Sequence, residues 1–210
     1  MNASRITWLA PLVLVLGAGC GDSPVGQAGD DDAAEQAVVA NASLRGDNGG
    51  SGHIDILDEC DSSDPAWAPT GGCSLRGGKV TFAEFGALVP SNLSLSTVGH
   101  PAWTNDPTYL EVRAGKSVKV TNRGGRLHTL TPVAAYGGGR VPLNIGLTPA
   151  PECLLAPGAV DRFAVPPGQH ITIKDTDLRP GINRLQCCIH PWMRELIRVT
   201  GRGHDHGDRG

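Results

Sequence analysis

Glycine and proline interrupt this chain at short intervals, and that punctuation decides most of what it can become. The 29 glycines and 16 prolines make up 45 of 210 residues and follow no three-residue period. A collagen-like helix is therefore excluded and long α-helices are disfavoured. Between the turns lie short segments of strand character: Lys79–Ala83, Leu93–Thr97, Tyr109–Arg113, Ser117–Asn122, Leu127–Pro132, Val160–Val165, His170–Lys174, Ile182–Cys187 and Glu195–Thr200. Alternation is clear in YLEVR and SVKVTN, where Val118 and Val120 share one face. Ala114-Gly115-Lys116, Asn122-Arg123-Gly124-Gly125 and Pro166-Pro167-Gly168 supply the turns. The pattern predicts an all-β fold, a β-sandwich of short strands. The stretch Ala134 to Ala159, rich in Gly and Pro, reads as an excursion over its surface.

The first 52 residues are of another kind. Arg5 is followed by an apolar run, Ile6 to Leu16, and then by Gly17-Ala18-Gly19-Cys20. The run is shorter than the roughly 20 residues a bilayer demands. A positive start, a short apolar centre and small residues before a cut site predict a secretory signal over residues 1–19. A cysteine directly after the small residues resembles a bacterial lipoprotein cleavage site, which would make Cys20 the lipidated N-terminus and the only membrane contact. The alternative is an ordinary signal peptide. Either one exports the chain, to the periplasm or the cell surface, where disulfides persist. Residues 20–52, with stretches such as GQAGDDDAAEQ, have no apolar period and read as a flexible, disordered acidic tether. Between Asp22 and Asp64 there are 11 acidic residues against the single Arg45, whereas Pro65 to Gly210 holds 16 basic and 10 acidic. The net charge of −3 and nine scattered aromatics argue against a nucleic-acid partner. The expected organisation is completed by a disulfide-closed N-terminal extension over 53–79, the β domain over 80–201 and a disordered tail over 202–210 containing His204 and His206.

Chemistry concentrates near the C-terminus. Cys187, His190 and Met193 are spaced three apart in Cys-Cys-Ile-His-Pro-Trp-Met, so a tight loop between two strands can turn all three to one point. About 60 residues earlier, Leu127-His128-Thr129 brings a second imidazole to the start of a strand. Two imidazole nitrogens and a thiolate in a plane, with a weak axial thioether, suit an electron-transfer copper. Met193 is the only methionine after Met1. A structural zinc site rarely uses Met.

Residues 109–200 resemble the cupredoxins of the plastocyanin and amicyanin kind. YLEVRAGKSVKVTNRGGRLHTLTPV and PGINRLQCCIHPWMRELIRVT carry the resemblance, and the Cys-x2-His-x2-Met loop is similar to the short amicyanin-type loop. The resemblance implies a Greek-key β-sandwich with one type 1 copper ion. It implies His128 and His190 as imidazole ligands, Cys187 as thiolate and Met193 as axial group. His190 is then the ligand expected to reach solvent, within an apolar edge made by Pro191 and Trp192. Three positions depart from the family pattern: Thr129 replaces an Asn, Leu185 an aromatic and Glu195 a Gly. The Thr129 hydroxyl can still make a supporting hydrogen bond.

Neighbouring strand residues face opposite ways, so only one of Cys187 and Cys188 can face the metal. If Cys20 carries lipid and Cys187 copper, four cysteines remain, and they can pair as Cys60–Cys73 and Cys153–Cys188. A disulfide through Cys187 or Cys188 without copper is the alternative, and it leaves an odd thiol. Arg123, Arg126, Arg140, Arg184 and Arg194 either rim the copper end and steer an acidic partner or are solvated loop residues. His53, His100 and His170 stand alone. No nucleophile elbow, phosphate loop or paired carboxylates suggest an enzyme. The expectation is a monomeric carrier of single electrons between a redox protein donor and acceptor. Copper storage, delivery or tolerance, and a metal-free interaction module, are the alternatives.

Overall fold

A computed structural model describes residues 52–88, 102–141 and 147–201. These residues hold ten strands: β1 Gly52–Asp58, β2 Trp103–Asp106, β3 Tyr109–Arg113, β4 Val118–Asn122, β5 His128–Thr129, β6 Thr131–Val133, β7 Ala164–Val165, β8 His170–Ile173, β9 Gly181–Gln186 and β10 Arg194–Thr200. One sheet has the order β2-β1-β4-β8 and the other β3-β10-β9-β6, while β5 and β7 form a small ladder. The parallel pairs β1–β4 and β3–β10 join strands distant in sequence, so the chain must cross between sheets rather than meander.

Period-two alternation explains the packing. Ile54 and Ile56 of β1, Val118 and Val120 of β4 and Ile173 of β8 point inward from one sheet. Leu110 and Val112 of β3, Leu185 of β9 and Ile197 of β10 meet them from the other, in a single buried cluster. Each such side chain contributes about 1.5–3 kcal/mol by leaving water. The same cluster continues into the aromatics Trp67, Phe85, Trp103 and Trp192.

The architecture is the expected all-β sandwich, with differences at particular elements. The segment Lys79–Ala83 is not a strand. Val80 makes only an isolated bridge to Cys60, and Phe82–Leu88 is a helix, α1. Thr81 and Glu84 cap it reciprocally: Glu84 N donates to Thr81 Oγ1, and Thr81 N donates to Glu84 Oε2. That is the capping-box pattern, and it overrides a weak strand signal. The run Leu127–Pro132 is divided into β5 and β6, and only Ala164–Val165 of Val160–Val165 pairs. Two strands were not foreseen, β1 and β2. The first lies inside its sheet, between β2 and β4. Leu93–Thr97, the leader, the tether up to residue 51, and the tail 202–210 lie outside the described residues.

Candidate metal centre

The turn that delivers His128 is built around one buried amide. At the end of β4, Asn122 Nδ2 donates to the carbonyls of Arg126 (2.7 Å) and Val165 (2.8 Å), and its Oδ1 accepts from Gly124 N (2.9 Å). The turn is thereby closed before β5 begins at His128, which pairs with Val165. Glycine is required inside it: a Cβ at Gly124 would lie 2.0 Å from Asp58 Oδ2.

The second loop joins β9 to β10. Cys187 N donates to the carbonyl of Met193, and Met193 N to that of His190, both at 2.9 Å. Two backbone amides point at the Cys187 sulfur, His190 N at 3.3 Å and Thr129 N at 3.4 Å. Such donors favour thiolate over thiol. Thr129 also links the loops through its hydroxyl, which accepts from Cys188 N at 2.7 Å. This is the supporting contact expected of a hydroxyl at that position.

His128, Cys187 and His190 converge, all buried. His128 Nδ1 and His190 Nδ1 are 3.2 Å apart, and Cys187 Sγ lies 3.9 Å from the first and 3.7 Å from the second. Around a first-row ion, metal–N near 2.0 Å and metal–S near 2.3 Å put trigonal donors about 3.5 Å (N to N) and about 3.7 Å (S to N) apart. The triangle therefore has the size of a metal-binding plane. Met193 is 1% exposed, in the core cluster that also holds Cys187. Cys188 faces away and bonds to Cys153, while Cys60 bonds to Cys73, leaving Cys187 as the free thiol among the described residues.

The electrostatics suit a cation. Burial pushes the Cys187 thiol up, but hydrogen bonds and charge from His128 and His190 hold it well below its ordinary value. Burial also opposes charging His128, yet Asp58 and Cys187 push it up to about 9. His190 is lowered, chiefly by burial.

The Asp58 carboxylate was not among the expected site residues. Its Oδ2 lies 2.8 Å from His128 Nε2, with both side chains fully buried. A signal existed: Ile54, Ile56 and Asp58 continue one inward face of β1, so a carboxylate stands where an apolar residue is due.

Other expectations need correction. His190 is only 2% exposed, because Trp192 packs at 5.5 Å from its ring and then against Phe85 of α1. Pro191 and Trp192 are buried rather than an apolar rim. The arginines do not form a free basic edge either. Arg123 pairs with Asp55 and Arg140 with Asp161. Arg126 binds the carbonyls of Thr70 and Gly72, and Arg194 lies over Tyr136. Arg184 is half-buried in β9. His53 pairs with Asp55, and His170 is an exposed residue of β8. Cys20, His100, His204 and His206 lie outside the described residues.

No protein-family model and no curated protein matches the chain. Among solved structures it is similar to a purple cupredoxin from Nitrosopumilus maritimus, at 13% identity and a TM-score of 0.37, over 71% of this chain and 99% of that one. It is also similar to a reduced amicyanin variant, at 20% identity and a TM-score of 0.30, over 46% of this chain and 73% of that one. A Cu-containing nitrite reductase from Thermus scotoductus follows at 22% identity and a TM-score of 0.30, over 47% of this chain and 20% of that one.

Proposed function

We propose that the protein binds one type 1 copper ion and carries single electrons between redox partners outside the cytoplasm. The observation that carries this reading is the buried triangle of two imidazole nitrogens and one thiolate sulfur, at 3.2, 3.7 and 3.9 Å. His128 and His190 would hold the ion through Nδ1, Cys187 through its thiolate and Met193 through its thioether sulfur. Soft sulfur suits Cu(I) and imidazole suits both oxidation states. The bound copper supplies a one-electron Cu(II)/Cu(I) couple.

The chain's own task is to keep the donors still and dry. All four residues are 2% exposed or less. Their loops are tied by Asn122, by Thr129 and by the amides on Cys187. Four protein donors leave no open position for a substrate, which favours electron transfer over catalysis. Two disulfides and the leader sequence support export, with Cys20 as a lipid anchor. The proposed partners are a redox donor and a redox acceptor.

Loading the purified protein with Cu(II) tests the reading. The expected result is one equivalent bound, an intense visible thiolate-to-copper band and reversible one-electron cycling. Survival of the band in Cys187→Ser would defeat the assignment. Uptake of more than one equivalent would favour copper storage or delivery. Export and lipidation are tested separately by labelled fatty acid, whose incorporation should vanish in Cys20→Ser.

A further inference from the structure

His128 is held from both sides. Its Nδ1 faces Cys187 and His190, so its Nε2 points away from the donor triangle and meets Asp58 Oδ2 at 2.8 Å. An ionised carboxylate only accepts, so the contact keeps a ring proton on Nε2 and leaves Nδ1 as the nitrogen that would give up its proton to a metal. Ligand imidazoles braced in this way by carboxylates have a fixed tautomer, a fixed ring orientation and raised basicity.

Asp58 is itself anchored. Its Oδ1 accepts from Gly125 N at 3.0 Å and Cys60 N at 3.4 Å, and its Oδ2 also accepts from Arg126 N at 3.0 Å. Three backbone donors and one imidazole thus surround a carboxylate with no exposure. Gly124 leaves the space it occupies, and the Cys60–Cys73 disulfide fixes the chain two residues beyond it. The Arg126 guanidinium is turned toward the carbonyls of Thr70 and Gly72. The hydrogen-bonded partners of the carboxylate are therefore three amides and a metal ligand.

We infer that Asp58 is the positioning residue for His128 and that its buried negative charge lowers the reduction potential of the copper centre. The inference rests on the copper reading above. With the Cys187 thiolate, Cu(II) and Asp58 sum to zero net charge, whereas Cu(I) leaves one negative charge in a dry interior. Removing the carboxylate charge must favour Cu(I) relative to Cu(II).

The test compares copper-loaded wild type with Asp58→Asn by redox titration and by competition for Cu(II) and Cu(I). Loss of a carboxylate behind a ligand histidine costs about 10–100-fold in metal affinity. The ratio of Cu(II) to Cu(I) affinity should fall about tenfold or more, a rise of about 59 mV per tenfold for one electron. An unchanged or lower potential, with the visible band retained, overturns the inference. A variant that does not load is decided on wild type instead. In the diamagnetic Cu(I) form, nitrogen-resolved NMR should show His128 protonated at Nε2 and slow to exchange with water. An Nε2 without that proton overturns the inference. A wild type that fails to show the copper band contradicts the copper reading itself, before any variant is compared.

Discussion

The two histidines of the centre occupy unlike surroundings. His128 stands between a thiolate and the buried Asp58 carboxylate, in a turn closed by Asn122 and backed by the Cys60–Cys73 disulfide. His190 stands against aromatic rings, on a loop whose neighbouring Cys188 is tied to Cys153. One flank works by charge and the other by packing. The difference assigns tuning of the metal to the N-terminal strand β1, and its shielding from water to Trp192 and α1.

The comparison breaks most visibly if the two imidazoles are removed in turn from the copper-free protein. His128→Ala leaves a buried carboxylate without its partner and should cost about 3–5 kcal/mol in denaturant unfolding. His190→Ala takes one imidazole from the Cys187 sulfur but leaves it His128 and two backbone amides, and should cost less, about 1–2 kcal/mol. Equal costs would mean that the Asp58 contact is not energetically special. Next come the disulfides, which close separations of 13 and 35 residues. Loop entropy gives about 3 kcal/mol for the pair Cys60→Ala with Cys73→Ala, and about 4 kcal/mol for Cys153→Ala with Cys188→Ala. Only the first pair should also shift the copper potential, since Cys60 N donates to Asp58.

How much of this was readable beforehand follows the same division. The Cys187-to-Met193 flank is contiguous, so its donors could be named from spacing alone. Strands β3 and β4 were equally plain, because alternation within five residues is a local property, and β8, β9 and β10 were marked as short segments of strand character between turns. The His128 flank depends on contacts across the fold. Asp58 lies 70 residues from His128, in an acidic stretch where only its place in line with Ile54 and Ile56 marks it, and its partner is set only when β1 pairs beside β4. Trp192 next to His190 suggested an exposed edge. Its burial depends on α1, whose Thr81-x-x-Glu84 cap was present in the sequence but stood inside a segment with strand character.

Glu195 offers a sharper contrast with Asp58. Both carboxylates are buried, but Glu195 Oε1 and Oε2 have no hydrogen-bond partner among the described residues. Burial first, and then the charge of Asp106, raise it well above its ordinary value. Its folded form therefore keeps a proton that the unfolded chain gives up, so stability falls as pH rises from the ordinary carboxyl range toward the folded value. Asp58 shifts the other way: burial raises it, but His128 and the amides of Gly125 and Arg126 outweigh that. Glu195→Met should stabilise the protein by about 1–3 kcal/mol at neutral pH and flatten that slope. A destabilised variant would show that the carboxylate has a partner.

The smallest expected effect separates the histidines by proton count. His128 holds a second ring proton up to about 9 in the copper-free protein, whereas His190 is lowered from its ordinary value and Cys187 is held well below its own. Copper binding between pH 7 and 9 should therefore release one proton, from His128. Cu(II) affinity should fall about tenfold per pH unit below 9, or about 1.4 kcal/mol. Calorimetry in buffers of different ionisation enthalpy measures the count. Release of no proton, or of two, contradicts it.

The most direct measurement of all is a Cu(II) titration of the full chain, followed in the visible region and repeated on Cys187→Ser. The account predicts an intense thiolate-to-copper band that saturates at one equivalent in wild type and is lost in the variant. A colourless wild-type complex, or a band that persists without the Cys187 sulfur, would contradict it.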